Sequence, residues 1–544
     1  MTIVIPKEMR SLAFPELTLV ELNDVDVDRL LPHLWELVVR LGVPAPSKTD
    51  PDAYHAYLDA LAGDERMVGF GDERGREFLD GWLRSSVIRI GGKGRGHSEV
   101  QMDHVLPLTL ASYRAGLPKT RTRHRRAERL AYKAMVDELA RRGVDRPQFR
   151  LRELFTAAVG RGVRIEQNGQ GPAHYDGTPD IDINALLSLY FLETFPNPVG
   201  RTTARVMGDG PVPAATRQFG TDLLDCLTVY GGRLPAAGFI DRFAALLSLH
   251  LFELPLRVAT SVRQLLEHGE PTADMRGEGD NPLEIYCDFT RSAASPSEEL
   301  ARLCAQRDLD VMRAFLSDRI TLRAMYDALG VHPDGVAIRD LPFAEALTRL
   351  VALRDDPMLQ ASPAIQVNAI DRDTKALAEN DASAARVDAV RRHVKSPLAQ
   401  LCALLTEELG AMGIKNQTAW FWATGGAQKP YGLVAGDRGF RPSWRYAPSD
   451  DLLLALLLLS FTEPDGHGRY RTEMPIADLL ADFQSRFGIL IAQPPSAYNT
   501  ADTRAAAASN LEAFKRRLQL LGCFDGLSDD FSAQYVRHPL EVTA

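Results

Sequence analysis

Apolar residues recur at every third or fourth position along most of the chain, the spacing that places them on one face of an α-helix. In the segment from Asp26 to Leu41, the leucines and valines fall on one side and Gly42 follows as a helix stop signal. The same spacing covers residues 54–61 and 77–87. An apolar run predicts a helix at residues 184–195, and start signals before it predict another at residues 298–307. The pattern therefore predicts a mainly α-helical protein.

Two more predicted helices end at helix-breaking residues. Residues 239–254 are almost entirely apolar and stop before Pro255, whereas residues 398–412 are amphipathic and stop before Gly413. β-Structure is predicted only in short pieces. The longest covers residues 283–290, where alternating apolar and polar positions are typical of a half-buried strand.

Residues 442–544 show an order of elements that is typical of a winged-helix domain. Residues 452–459 are apolar on every side, so they predict a buried helix that is too short to span a bilayer. A second helix follows Pro475, and residues 524–536 hold a turn between two short apolar pieces, as a wing requires. The predicted fold class is mainly α, a multi-domain helical body with minor β-structure and a C-terminal winged-helix-like domain.

A third helix of this module is predicted over residues 503–521, with Thr500 or Asp502 as its cap. The face opposite its apolar side carries Asn510 and a set of basic candidates for nucleic-acid binding, namely Arg504, Lys515, Arg516 and Arg517. Recognition helices enter the major groove of DNA, and basic side chains around them contact phosphates. The alternatives are a solvated charged face and a protein-binding surface.

A glycine-rich basic segment at residues 89–97 predicts a surface loop. Lys93 and Arg95 stand among its glycines and are candidates for phosphate contact. The segment lacks the Gly-Lys-Ser/Thr ending of a nucleotide-binding P-loop, so no NTPase site is predicted there. The alternative is a loop whose basic residues bind nothing specific.

The most basic stretch of the chain covers residues 118–133. Its candidate nucleic-acid-binding residues are Arg121, Arg123, Arg125, Arg126 and Arg129. Concentrated positive charge binds nucleic acid by releasing counterions, without base specificity. The same charge also suits an acidic protein partner, or pairing with Asp137, Glu138 and Glu153 nearby in the chain.

Two sets of carboxylates are candidate ligands for a hard cation, Asp176, Asp180 and Asp182 in a loop-rich region and Glu284 and Asp288 on the predicted strand. They support the alternative that the protein is a metal-dependent nuclease. The lysine that usually accompanies such carboxylates does not follow the strand, and helix capping accounts for Asp180 and Asp182. We therefore predict no catalytic residue, no metal ligand and no cofactor, and favour a non-enzymatic protein.

Aromatic and basic residues alternate in residues 418–446. This composition suits stacking on exposed bases and also suits an anchor at a protein interface. The third alternative, which we favour, is that these aromatic residues pack the junction between the helical body and the C-terminal module.

Composition bounds the possible functions. The 544 residues, 45% hydrophobic and 25% charged, are typical of a globular protein of about two to four domains. The predicted divisions are a basic helical domain at 1–160, a helical domain at 161–440 and the winged-helix-like domain at 441–544. A net charge of −9 excludes a general polyanion binder, so any nucleic-acid contact must come from local basic patches.

Cysteine usage and the N-terminal sequence favour a cytoplasmic protein. The five cysteines are scattered, without the spacing of a zinc site or a disulfide framework. No signal peptide and no membrane span are predicted.

The helical body, the strand at residues 283–290 and the closing sequence of residues 514–522 with Leu527-Ser528-Asp529 resemble a known group of proteins. These are large bacterial proteins encoded in anti-phage defence islands, among them a component of the methylation-associated defence systems. The resemblance lies mainly in the C-terminal third and carries no catalytic motif. It implies a non-enzymatic DNA-binding or assembly subunit, with duplex DNA or the other subunits of a complex as partners. A structural adaptor that binds an acidic protein is a further alternative.

Overall fold

The computed structural model describes residues 3–43, 58–59, 62–63, 65, 68–93, 99–105, 110, 125–165, 173–175, 208–377, 381–462, 470–525 and 534–540. These residues are mainly helical, which confirms the prediction from apolar spacing. The helices of the first half are α1 (Pro15–Thr18), α2 (Val27–Val39), α3 (Glu73–Ser86), α4 (Ala127–Arg141), α5 (Pro147–Val159), α6 (Pro213–Tyr230), α7 (Ala236–His268) and α8 (Ala273–Arg276).

The second half continues the helical pattern. Its helices are α9 (Pro296–Ala328), α10 (Gly335–Arg339), α11 (Phe343–Ala352), α12 (Pro357–Ala376), α13 (Asp381–His393), α14 (Pro397–Thr424), α15 (Asp450–Ser460), α16 (Ile476–Phe487) and α17 (Ala501–Leu520). The predicted helix at residues 298–307 is therefore the first part of a much longer one, α9.

Helix α7 forms the centre of the fold and packs against α6, α9, α14 and α15. It is long and apolar enough to cross a bilayer, but 94% of its most apolar window is buried by the rest of the protein, as in a core helix. The predicted stop at Pro255 is wrong, because Pro255 lies buried inside α7. Packing on several sides outweighs the cost of roughly 3 kcal/mol that an internal proline carries.

Helix α14 packs against α9 and α12 and also runs past its predicted end. It continues through Gly413, where an added Cβ would lie 2.6 Å from Leu316 Cδ1 and 3.0 Å from Leu12 Cδ1. Gly413 therefore serves close packing and does not end the helix.

The strands form two-stranded pairs within the described residues. The antiparallel pairs are β1 (Val87–Lys93) with β2 (Glu99–Val105), β3 (Val163–Ile165) with β4 (Ala173–Tyr175), β6 (Val434–Ala435) with β7 (Arg445–Tyr446), and β8 (Glu473–Pro475) with β10 (Tyr535–Arg537). The one parallel pair joins β5 (Ile285–Tyr286) to β9 (Ile489–Leu490).

Two predictions about strands need correction. The glycine-rich segment predicted as a loop lies partly in β1, which ends at Lys93 opposite Glu99 of β2. The strand predicted at residues 283–290 is reduced to Ile285 and Tyr286, because its one strand partner, β9, is equally short.

The C-terminal helices begin where their capping residues predict. Ser449 accepts a hydrogen bond from Leu452 N at the start of α15, and Thr500 accepts one from Thr503 N at the start of α17. The apolar run in α15 is buried, as expected for a helix that is apolar all round.

Candidate nucleic-acid interface

The loop of residues 288–295 places an arginine between two helix N-termini. Buried Asp288 organises this loop, since its carboxylate accepts hydrogen bonds from Thr290 Oγ1 at 2.8 Å and Arg291 N at 3.3 Å. Arg291 and Ala294 have φ values of 50° and 60°, an uncommon conformation for residues other than glycine. The loop holds Arg291 beside the first turn of α15, just before α9 begins.

Arg291 and Arg517 share one carboxylate, that of Asp450 in the first turn of α15. Arg291 Nη2 lies 3.0 Å from Asp450 Oδ1, and the Arg517 guanidinium contacts the same carboxylate. Partial burial, together with the charge of Arg291, lowers the pKa of Arg517. This group, the Asp450 cluster (Arg291, Asp450 and Arg517), therefore carries excess positive charge.

The basic residues predicted on the third helix have different surroundings. Lys515 is mostly buried and donates to Glu512 Oε1 at 2.7 Å, and Arg504 is exposed and donates to Asn499 Oδ1 at 2.8 Å. Arg516 is exposed and directly precedes Arg517 of the Asp450 cluster. Arg504 lies about 18 Å from Arg516 along the helix, from a rise of ~1.5 Å per residue. The structure thus groups Arg516 and Arg517 with Arg291 and leaves Arg504 apart.

Asn510 is the one residue of that predicted exposed face that is fully buried. Its side chain accepts a hydrogen bond from Phe289 N and donates to Cys287 O and Ile491 O. The prediction that Asn510 faces outward is wrong, because the middle of α17 docks onto the backbone that follows β5 and β9.

In the N-terminal basic stretch, Arg125 is held by acidic neighbours. It donates to Asp24 Oδ1 at 2.7 Å and to Glu21 Oε1 at 3.1 Å, so it ties α4 to the N-terminal segment. Arg126 stands at the N-cap position of α4 with φ 68° and makes no capping hydrogen bond with its side chain, and Arg129 Nε lies 3.7 Å from Glu128 Oε1.

Of the remaining predicted basic residues, only Lys93 lies in the part of the chain that the structure describes. Lys93 ends β1, and Arg95, Arg121 and Arg123 lie outside the described residues. Within the described part of this stretch, Lys133 pairs with Asp137, one of the three carboxylates named as possible partners, whereas Arg125 and Arg129 pair with carboxylates that were not named.

Where they are described, the carboxylates considered for a nuclease site accept hydrogen bonds from other groups of the protein. Glu284 accepts hydrogen bonds from Ser496 N and Ser496 Oγ, and Asp288 holds its own loop. Asp176, Asp180 and Asp182 lie outside the described residues. Within the described ranges, no group of three histidine, cysteine or acidic residues is placed to hold a metal ion.

Comparison with known families decides where the chain belongs. A family model described as "Methylation-associated defense system protein MAD7" matches residues 7–540. The chain is a member of the MAD7 family. No curated protein matches it significantly, and no solved structure does. The match confirms the resemblance to a component of bacterial antiviral defence and extends it from the C-terminal third to nearly the whole chain.

The aromatic residues of this MAD7 protein at residues 418–446 pack its interior. Trp420, Phe421, Trp444 and Tyr446 are buried, and the rings of Phe421 and Trp444 stack with centroids 6.0 Å apart. Arg438 lies over the Trp422 ring at 3.9 Å. The packing alternative therefore accounts for most of this segment, and the buried rings do not face nucleic acid.

The sequence of this MAD7 protein gives no signal for the Asp450 cluster. Its members lie at positions 291, 450 and 517, and Arg291 follows a segment read as a strand. A lone arginine or aspartate at such separations matches no motif, so only the fold brings the three side chains together.

Proposed function

We propose that the protein is a non-enzymatic subunit of a methylation-associated defence complex that binds duplex DNA through residues 441–544 together with Arg291, which packs beside them. Membership of the MAD7 family supports the assignment to a defence system. The arrangement of the C-terminal elements supports the assignment to DNA.

The observation that carries this proposal is the connectivity of the C-terminal elements. The C-terminal elements follow the order α15, β8, α16, β9, α17, β10, in which β9 pairs with β5 of the central region. β10 pairs antiparallel with β8, and Val536 of β10 also bridges Phe524, which follows α17. This order fits a winged helix, with α17 in the position of the recognition helix and β8 and β10 as its paired strands. Most of the predicted wing, residues 526–533, lies outside the described residues.

The distribution of positive charge supports contact with DNA phosphates near the C-terminal end of α17. Arg516 is exposed there, and the Asp450 cluster adds Arg291 and Arg517 beside it. Two guanidinium groups around one carboxylate leave positive charge for a phosphate. Such contact positions a protein on DNA without reading its sequence.

Assembly with another subunit is the second candidate. The exposed face of α17 carries Asp502 and Glu512 as well as Arg504, and Leu520 at its end is 76% exposed. Mixed charge beside an exposed leucine suits a protein surface better than a polyphosphate backbone.

Fluorescence anisotropy of labelled duplexes across a salt series separates the two candidates. We expect salt-dependent binding by the full chain, with a slope of log affinity against log salt of roughly −0.9 per neutralised phosphate. The double variant Arg291→Ala and Arg516→Ala should flatten that slope by up to about 1.8 and weaken binding to all sequences alike.

A matched control double variant is Arg372→Ala and Arg386→Ala, which removes two exposed arginines from α12 and α13. It should leave the slope unchanged. If the wild-type protein shows no salt-dependent binding at low ionic strength, DNA binding is rejected and assembly through the same face takes its place.

A further inference from the structure

The N-terminal segment of residues 3–13 forms a strap across α9, α12 and α14. Ile3 N donates to Glu408 Oε2 at 3.0 Å and Val4 N donates to Thr374 Oγ1 at 3.1 Å. The carbonyl of Ser11 accepts a hydrogen bond from Arg323 Nη1 at 2.7 Å. These bonds hold the strap over the helices at both of its ends.

A pocket of ≈ 130 Å³ lies beneath this strap, between α9 and α14. Its apolar walls come from the strap and from both helices, namely Met9, Leu12, Ile320, Leu401, Leu405 and Leu409. The size is below the several hundred Å³ of pockets that take drug-sized ligands, so the pocket suits a small molecule.

One charged side chain, Arg319 of α9, lines this apolar pocket while almost fully buried. It is 6% exposed, and its Nε atom has no hydrogen-bond partner. In the part of the chain that the structure describes, Arg319 makes no hydrogen bond and no ion pair. Burial of a guanidinium without a partner costs free energy, so the site lacks an anion that pairs with Arg319.

The other charged residues that line the pocket do not pair with Arg319. Arg323 donates to backbone carbonyls of the strap and lies 3.5 Å from Asp327. Glu8 and Asp327 line the pocket but are exposed. Burial, with a smaller contribution from Arg323, lowers the pKa of Arg319 to about 10, which leaves its guanidinium charged near neutral pH.

We propose that this pocket binds a small carboxylate with an apolar body. The guanidinium of Arg319 matches a carboxylate with two parallel hydrogen bonds, and the apolar walls receive the hydrocarbon part. A single negative charge balances the one unpaired cation. Glu8 and Asp327 at the rim disfavour a doubly charged phosphate monoester. This ligand site is independent of the proposed DNA contact, which involves α17, the start of α15 and the loop that precedes α9.

Thermal melting and calorimetric titration of the full chain with hexanoate test the proposal. Hexanoate should raise the Tm in a concentration-dependent manner, because a ligand that binds only the folded state stabilises it. Hexanol, with the same body and no charge, should bind at least tenfold more weakly. Acetate, with the charge and almost no body, should also bind weakly.

Two variants address the two halves of the site. Arg319→Met should abolish the response to hexanoate and should fold, because it removes an unpaired buried charge. Leu405→Phe keeps the charge, fills the apolar part of the pocket, and should weaken binding. Arg313→Met is the matched control, since Arg313 lies on the same helix and pairs with Asp310. It should respond like the wild-type protein.

Three results would overturn the proposal. These are no binding of hexanoate to the wild-type protein, equal binding by Arg319→Met, and equal affinity for hexanol. The last two would mean that the cavity takes apolar molecules without using the charge.

Discussion

His538 is buried just after β10, and both of its ring nitrogens have neighbours that favour the neutral ring. Nδ1 accepts a hydrogen bond from Leu540 N at 3.1 Å. Nε2 lies 3.0 Å from Tyr230 Oη, whose hydroxyl donates to Leu458 O at 2.7 Å. The ring is therefore neutral with its proton on Nε2. Burial, with the charge of Arg233, lowers the pKa of His538 from 6.5 to about 4.

This shift predicts a loss of stability in mild acid. Below pH 6.5 the unfolded chain takes up a proton at this histidine while the folded protein does not, so stability falls until the pH reaches about 4. Between pH 8 and pH 5 we expect a loss of about 2 kcal/mol from this group. Urea unfolding across that pH range measures it.

The variant His538→Gln should lose this part of the pH dependence. The control His268→Gln changes an exposed histidine at the end of α7 and should keep it. Equal pH dependence of wild type and His538→Gln would show that the histidine titrates alike in the folded and unfolded states.

At the scale of elements, one side chain fixes how α17 docks. Asn510 bonds the backbone at three places, with distances of 2.7 Å to Phe289 N, 2.8 Å to Cys287 O and 3.1 Å to Ile491 O. These segments come from two regions that lie about two hundred residues apart in the chain. α17 is thereby locked against β5 and β9.

Asn510→Ala should destabilise the protein by about 2 to 4 kcal/mol, since it leaves buried backbone groups without partners. Ser509→Ala, at the exposed neighbouring position, should change stability by less than about 0.5 kcal/mol. Chemical unfolding of the two variants compares them directly. A small effect of Asn510→Ala would mean that water replaces the amide, so that the bonds do not hold the helix in place.

Two glycines of α14 offer a paired test of packing. At Gly413 an added Cβ meets Leu316 at 2.6 Å, whereas at Gly410 the nearest atom is Thr406 Cγ2 at 3.9 Å. Gly413→Ala should destabilise the protein by about 1 to 3 kcal/mol through overpacking. Gly410→Ala should be neutral or stabilise it by up to about 1 kcal/mol, because alanine favours helices. Thermal melts of both variants decide the matter, and equal shifts would contradict the packing role of Gly413.

These elements show what the sequence can and cannot predict. Helix starts at Ser449 and Thr500 follow from local capping chemistry, which needs only neighbouring residues. The predicted stops at Pro255 and Gly413 are wrong because packing from distant segments overrides the local preference of those residues. The Asp450 cluster and the outward or inward direction of Asn510 likewise depend on contacts between distant parts of the chain.

For the whole molecule, the predicted division at residue 441 stays a prediction, and many buried contacts cross it. β9 pairs with β5 of the central region. Arg486 Nη2 lies 2.6 Å from Asp222 Oδ1, and this aspartate is fully buried. Burial opposes ionisation of Asp222, but Arg486 and His250 outweigh it and lower its pKa. The apolar helix α15 is buried against α7.

A fragment of residues 441–544 should therefore not fold on its own. Separation from the central region exposes the apolar α15, removes Asp222 from Arg486, and removes Phe289 N and Cys287 O from Asn510. We expect the summed cost to exceed the total stability of a domain of this size, which is roughly 0.1 kcal/mol per residue. Trp444, the only tryptophan of such a fragment, is buried in the full chain and reports the outcome by fluorescence.

We expect the emission of the isolated fragment to match that of the same fragment in concentrated urea, with no cooperative transition between the two conditions. The full chain under the same conditions should unfold cooperatively and serves as the control. A sigmoidal urea transition in the fragment would establish an independently folding C-terminal domain, and DNA binding could then be assayed on that domain alone. Without such a transition, the salt series must use the full chain, because the docking of α17 and the placement of Arg291 beside Asp450 and Arg517 both depend on the central region.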